Sequence, residues 1–529
     1  MALSLALAGF AAGAGRGVDL YLESELEGLA VELPQPFAKQ ANEFRLFRLH
    51  ARFDENGPAP LRVRYSDQLR ALFQFAPEGG GISHAAIRLD NAAPVLPTSP
   101  GMHLRGRLSD LDLDQWHRTW KALQTAQSGS DASEGVSGGR GDMLPPLTVV
   151  DLHAGRVNAF GQRFSDVGIS ASTAILGWHL QLAGPELAGT VLIPKADSEQ
   201  AVEIDLERLH LRHAAARLGN GTGERAASQP MDLKPRDMPP IRLSVEQALL
   251  NGTLLGQVDL NVSRVSDGLK LDHFALDGPV LRMSGNGAWR DAGGGDASSA
   301  THLQVRLETD KAGRAMDLFG QDSLLGGGRG EARLDLRWPG APTDFALETV
   351  NGEVAFLIRN GHLLAVDPGA GRVFGLLSVT MLPRRLLLDF SDLFGRGFAF
   401  DQMASRMRLN NGAGELEYFY VHGPAARVEA SGKLDFKHKT LDQVVVVTPR
   451  VSSALPIVGG LAGGPVGAVA LFVTQRLLEQ EIDSLTRYRY RVSGDWEEPA
   501  VERIGTSRPP PPPVPPADGG LPLPFSNGR

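Results

Sequence analysis

The stretch Val258-Asp259-Leu260-Asn261-Val262-Ser263 alternates apolar and polar side chains without interruption. Successive residues of a β-strand point to opposite faces, so this stretch has one apolar face and one wet face. The same alternation returns in Val18, Leu20 and Leu22 against Asp19, Tyr21 and Glu23, and in Val202, Ile204 and Leu206. It returns again in Leu303, Val305 and Leu307, and in Leu334, Leu336 and Trp338 against Arg333, Asp335 and Arg337. Such runs predict antiparallel sheet with one solvated face. Even the first residues fit, because Leu3, Leu5 and Leu7 alternate with small residues. Met1 to Gly15 lacks a basic leader region and is too short to span a bilayer, so it reads as an internal strand.

The unit of alternation is copied along the chain. Gly161, Phe164, Val167, Ile169 and Trp178 return as Gly252, Leu255, Val258, Leu260 and Leu269. Gly-Pro turns at Gly184-Pro185, Gly278-Pro279 and Gly423-Pro424 each precede another short strand: Glu186 to Gly189, Val280 to Gly285 and Ala425 to Gly432. The repeat is a β-meander. Repeats that touch only their neighbours build elongated bodies rather than globules. The length of 529 residues also exceeds what one core can hold. The 62 glycines and 35 prolines supply the turns that many short strands require.

Charge and chemistry narrow the function. The net charge is −8, which gives no basic face for nucleic acid. There is no cysteine, which removes disulfides, thiolate metal sites and thiol nucleophiles. His210 and His213 are three apart on a predicted strand and so face opposite sides, which is no metal site. Gly326 to Gly330 lacks the Lys-Ser/Thr of a phosphate loop and reads as a hairpin turn. Arg140-Gly141-Asp142 is a chance tripeptide in a Ser/Gly-rich loop. Neither a Gly-x-Ser-x-Gly elbow nor a His-Glu-x-x-His pair occurs. The chain reads as a non-enzyme without cofactor or metal.

Helices are few: Leu113 to Leu123, Arg314 to Leu325, and about Leu455 to Thr486. The last contains an uncharged run between Arg450 and Arg476 with Leu455, Ile457, Val458, Leu461, Val466, Val469, Leu471 and Phe472. It reads either as a helix packed on the sheet end or as one that contacts a membrane. Its Gly and Pro content, and the strand pattern that resumes at Tyr488, argue against a full span. Gln124 to Asp142, Gly293 to Ser299 and Ser507 to Arg529 have disordered compositions, the last with a proline run.

The carboxy-terminal half carries more particular signatures. Pro368-Gly-Ala-Gly-Arg372, Leu382 through Phe394, Gly397-Phe-Ala-Phe-Asp401, Gly423-Pro-Ala-Ala-Arg427 and Tyr488 through Trp496 follow in an order that resembles the YhdP family. Leu455-Pro456 and Gly463-Gly-Pro465 belong to the same series. Upstream, Leu26 through Pro34 with Pro36 and Lys39, and Leu104 through Asp114, resemble the family's central region. The resemblance covers roughly residues 18–504, and the family's amino-terminal membrane anchor has no counterpart in it.

That resemblance implies a mainly β, elongated and curled antiparallel sheet of β-meander repeats, forming an open hydrophobic groove of the AsmA-like type with few short helices. It implies a periplasmic protein, inner-membrane anchored in the full-length family of Gram-negative bacteria. Its partner would be phospholipid, carried between inner and outer membrane in support of the outer-membrane barrier. The alternation then makes Val258, Leu260, Val262, Leu303, Val305, Leu307, Leu334 and Leu336 the expected groove lining. The apolar residues from Leu455 to Phe472 become the expected membrane contact at the carboxy-terminal end. The expected segments are groove at 1–125, linker at 126–143, meander repeats at 144–290, a loop at 291–300 and groove at 301–450. An apolar helical segment at 451–487, a final strand region at 488–506 and a Pro-rich tail at 507–529 follow. A closed β-solenoid of structural or adhesive type shares the alternation and stands as the alternative.

Overall fold

The computed structural model describes residues 3–8, 17–54, 57–76, 81–128, 144–195, 198–212, 234–293, 299–318, 325–364, 398–449, 487–496 and 498–504. The chain is mainly β and separates into two units, one of residues 1–213 with 241–252, the other of 214–240 with 253–529. The apolar run with Leu455 to Phe472, the motifs from Pro368 to Phe394, the tripeptide at Arg140 and His213 lie outside the described residues.

In the first unit the strands are β1 (Leu3–Ala8), β2 (Gly17–Ser24), β3 (Phe47–Asp54), β4 (Gly57–Pro58), β5 (Leu61–Tyr65), β6 (Leu69–Phe75) and β7 (Ile82–Arg88). They continue as β8 (Gly101–Asp112), β9 (Leu147–Ala159), β10 (Gln162–Ala174), β11 (Gly177–Ala183), β12 (Leu187–Pro194), β13 (Val202–Leu211) and β14 (Ile241–Leu250). Each pairs with the next along the chain, apart from the short β4, which lies on the end of β3 while β3 itself pairs with β5.

Most pairings are antiparallel, as the alternation predicts. Three are not: β7–β8, β8–β9 and β13–β14 run parallel, so the sheet is mixed. The physical reason lies in the connections. A two-residue turn can only reverse a strand, whereas a long crossover can return the chain to its starting end. Helix α1 (Leu113–Ser128) begins the crossover from β8 to β9. The Asp112 carboxylate accepts the Gln115 amide at 2.8 Å and caps its start. Asp114 then takes both amides of the β9–β10 turn, Phe160 at 2.9 Å and Gly161 at 3.1 Å, tying the helix to the sheet. Trp116 of α1 and Phe37 meet edge to face, 6.0 Å apart, over a core of Leu108, Leu152, Val157, Phe164 and Val167. Lys39, in the stretch that resembles the family's central region, is buried and donates to the carbonyls of Leu29 and Gln40.

The second unit holds β15 (Thr253–Val265), β16 (Gly268–Asp277), β17 (Arg282–Asp291), β18 (Ser299–Thr309), β19 (Leu325–Pro339) and β20 (Asn351–Leu363). It continues with β21 (Phe398–Asn410), β22 (Ala413–His422), β23 (Ala426–Asp435), β24 (Thr440–Pro449), β25 (Tyr488–Asp495) and β26 (Ala500–Ile504). These form an antiparallel meander in chain order. The predicted Gly-Pro turns sit between β11 and β12, β16 and β17, and β22 and β23.

Several local expectations change. Helix α1 runs to Ser128, past Leu123 and into the stretch whose composition reads as disordered, and Asp291 and Ser299 of the expected loop belong to strands. The helix expected over Arg314 to Leu325 is α2 (Ala312–Leu318), and Leu325 already belongs to β19. Gly326 to Gly330 is not a hairpin turn but the start of that strand. Glycine is used there for close approach. A Cβ on Gly313 would stand 2.4 Å from the Leu325 carbonyl, and Gly328 and Gly330 face the Ala312 methyl. The bare backbone lets α2 lie directly on the sheet.

Candidate functional site

The register of the first unit aligns the apolar positions of successive strands. One row runs Leu5, Leu22, Leu49, Val63, Ala71, Ile87, Leu104, Val150, Ala171, Leu180, Val191, Ile204 and Leu243. It crosses every strand of the unit except β4, and every member is apolar. The adjacent row, on the opposite face, runs Ser4, Glu23, Arg48, Arg64, Arg70, Arg88, Arg105, Asp151, Ser170, Gln181, Thr190, Asp205 and Ser244. Every member is polar. A register slip of one residue at any pairing would break both rows.

The second unit has the same construction. Leu260, Phe274, Gly285, Val305, Leu334, Val354, Met407, Leu416, Gly432, Gln443, Val492 and Val501 form one row across all its strands. Gln443 is its one polar member. On the other face Gln304, Asp335, Glu353, Arg408, Glu415, Lys433 and Asp442 follow one another.

All eight expected lining residues fall on the apolar face of the second unit. Leu303 stands opposite Leu336, and Val305 opposite Leu334. Val258, Leu260, Val262, Leu303, Leu307 and Leu334 are half-buried, while Val305 and Leu336 are buried. Asp259 and Asn261 are exposed. Val258 and Leu307 pack on a cluster formed by Leu276 and Leu281 with Ala315 and Leu318 of α2, so the helix covers part of this face. Toward the carboxy terminus the face deepens into a core of Phe398, Phe400, Met407, Leu416, Phe419, Val428, Val447 and Val492.

The polar faces are held by side-chain ladders. Arg156 donates to Asp110 at 2.6 Å, and Arg491 grips Asp442 through two bonds of 2.9 Å. Those hydrogen bonds hold both carboxyls below the usual range. Burial alone pushes Asp335 up. Hydrogen bonds from Gln304 at 2.7 Å and His302 at 2.8 Å outweigh it and hold the carboxyl low. Burial raises Tyr418 and Tyr420, which stack 6.0 Å apart on the same side. Among the described residues no set of His, Asp and Glu is grouped to hold a metal ion. Among the same residues no helix is long and apolar enough to cross a membrane.

Sequence reading missed the apolar row of the first unit and the run of arginines behind it. The alternation was visible strand by strand in Val18, Leu20 and Leu22. Which residue stands opposite which is a property of register alone.

Comparison with known proteins gives two findings. The family profile described as YhdP protein matches residues 5–501. The intermembrane phospholipid transporter YhdP of Escherichia coli (strain K12) is 23% identical over 509 residues, covering 93% of this chain. The chain spans 37% of that relative's length. No solved structure matches.

Proposed function

The chain belongs to the YhdP family, and on that premise we propose that its apolar face carries the acyl chains of phospholipid between inner and outer membrane. The proposed role is non-enzymatic and supports the outer-membrane barrier. The observation that carries this reading is the unbroken apolar row from Leu5 to Leu243, backed by an unbroken polar row. Exposing an acyl chain to water costs about 0.8 kcal/mol per methylene. A face that stays apolar from strand to strand removes that cost at every step. Apolar contact is non-directional, so a chain can slide along it without losing any one strong bond. The half-buried state of Val258, Leu260 and Val262 supports an open groove, because a sealed core leaves such residues no surface to offer.

The reading extends to the carboxy-terminal apolar run. Leu455, Ile457, Val458, Leu461, Val466, Val469, Leu471 and Phe472 would contact the bilayer where lipid is delivered or received. The charges at Arg476, Glu479, Glu481 and Asp483 favour lodging at the interface over deep insertion.

Two measurements test the proposal. Lipid extracted from the purified chain should be phospholipid by mass spectrometry, and a photo-crosslinking residue at Leu260 should capture it while one at Asp259 should not. A lipid-free protein, or equal capture from both positions, would leave a structural or adhesive role without lipid conduction, on this open sheet rather than on a closed β-solenoid. For the terminal run, Val469→Asp with Phe472→Asp should abolish liposome association; equal binding by the double variant removes the membrane contact.

A further inference from the structure

The polar face of the first unit concentrates one kind of charge. Register places Arg48 opposite Arg64, Arg64 opposite Arg70, Arg70 opposite Arg88 and Arg88 opposite Arg105. Glu23 begins this run and Asp151 ends it. Neighbouring strands are about 4.8 Å apart, and like charges set directly opposite destabilise a sheet. In a chain of net charge −8 the run is not a by-product of a basic composition.

Some of these cations are answered. Arg48 meets Glu23 at 2.8 Å, Arg64 meets Asp67 at 2.7 Å, and Arg88 meets Asp90 at 2.6 Å. Two are not. Among the described residues Arg70 reaches Asn91 at a long 3.4 Å, and Arg105 forms no ion pair, not even with Asp151 beside it. Among the same described residues the Nε of both arginines is buried without a partner. A buried guanidinium donor left unpaired is costly, so its retention calls for an acceptor.

A depression opens beside Arg105, lined by Ala86, Arg88, Val95, His103 and Arg105, and Arg70 stands outside it, opposite Arg88 in the row. Burial, and after it the charge of Arg105, holds His103 below the usual histidine range. A neutral imidazole can donate one N–H there without adding repulsion.

We infer that Arg88 and Arg105, with the positive charge of Arg70 next in the row, form an oxyanion site that takes a phosphate group on the polar face of the first unit. One guanidinium already satisfies both oxygens of a planar carboxylate, as Arg88 does with Asp90; a second guanidinium, that of Arg105, in the same depression leaves donors for a tetrahedral anion. The site lies on the face opposite the apolar row, so it does not rest on the acyl-chain reading. The phosphate can come from a small phospho-anion or from a lipid headgroup at a membrane surface, and the two sources are separable.

The test uses the full chain. Inorganic phosphate is titrated at constant ionic strength with chloride as the balancing anion, followed by calorimetry and by the thermal midpoint. Phosphate should bind and raise the midpoint. Arg105→Gln should weaken binding about tenfold or more. In phosphate-free buffer the same variant should melt no lower than the parent, because a like-charge contact has gone. Should Arg105→Gln not fold, Arg88→Gln, which lines the same depression, carries the phosphate-binding comparison. No phosphate binding, or equal binding by a folded variant, overturns the site. Phosphatidylcholine vesicles with and without phosphatidylglycerol then separate the sources. Binding that requires phosphatidylglycerol and is lost in Arg105→Gln assigns a lipid headgroup. Phosphate binding without vesicle binding assigns a small phospho-anion.

Discussion

Gln443 of β24 stands directly opposite Val492 of β25, fully buried, with its side-chain amide nitrogen unpaired among the described residues. It is the one polar side chain in the central apolar row of the second unit. An unpaired buried amide costs about 1–3 kcal/mol. Gln443→Leu, of similar volume, should therefore raise the urea midpoint by the equivalent of about 1–2 kcal/mol. A lower midpoint would mean that the amide finds a partner in solution, such as a trapped water.

Charge should be tolerated where the apolar face is open and rejected where it is closed. Leu260 is half-buried; Val447, on the same side of the same unit, is 0% exposed. A carboxylate at Leu260→Asp can still reach water, so the loss should stay within about 2 kcal/mol. Val447→Asp buries an unpaired charge and should cost more than about 4 kcal/mol, enough to unfold the unit. Equal losses in chemical denaturation would show that no part of this face is open.

Gly352 admits no side chain. It faces Leu336 across the sheet at φ +132, and a Cβ there would lie 1.9 Å from the Asp335 carbonyl oxygen. Gly352→Ala should cost about 2 kcal/mol or more through strain and clash. Gly161→Ala, at φ +70 with open space around it, should cost only about 1 kcal/mol. If the two variants melt together, the close approach at Gly352 is not what requires glycine.

Acid should loosen the second unit through Asp335. Its carboxyl is held below the usual range in the folded state by Gln304 and His302, against the opposing effect of burial. A depressed folded value gives stability that is present above the unfolded carboxylate range and lost as pH falls through the folded value. Asp335→Asn should therefore flatten the acid limb of the stability-against-pH curve and lower the plateau near neutrality. A parallel curve for the variant, merely displaced downward, would place the acid sensitivity elsewhere.

Much of the fold is legible in the chain. Leu3, Leu5 and Leu7 announce β1, and the Gly-Pro turns mark where strands end. The matched positions Val167 and Val258, or Trp178 and Leu269, fall on equivalent strands of successive meanders. Less legible is the direction of pairing. Nothing in Ile87 or Leu104 tells a parallel neighbour from an antiparallel one, and the glycines from Gly326 to Gly330 read equally as a turn or as a landing for α2.

The sequence by itself determined that each strand has one apolar and one polar face, because side chains alternate with a period of two and the residues follow that period. It also determined the family, through ordered motifs that no composition would produce. Only the tertiary structure decided which faces join. Leu22 and Leu243 lie in one apolar row, and Arg70, Arg88 and Arg105 in one charged run, because backbone register brings distant strands side by side. Register is set by hydrogen bonding between strands and by crossovers such as α1, whose partners are not written in the local sequence. A candidate conduit and a candidate anion site both arise at that level, as properties of rows rather than of any single strand.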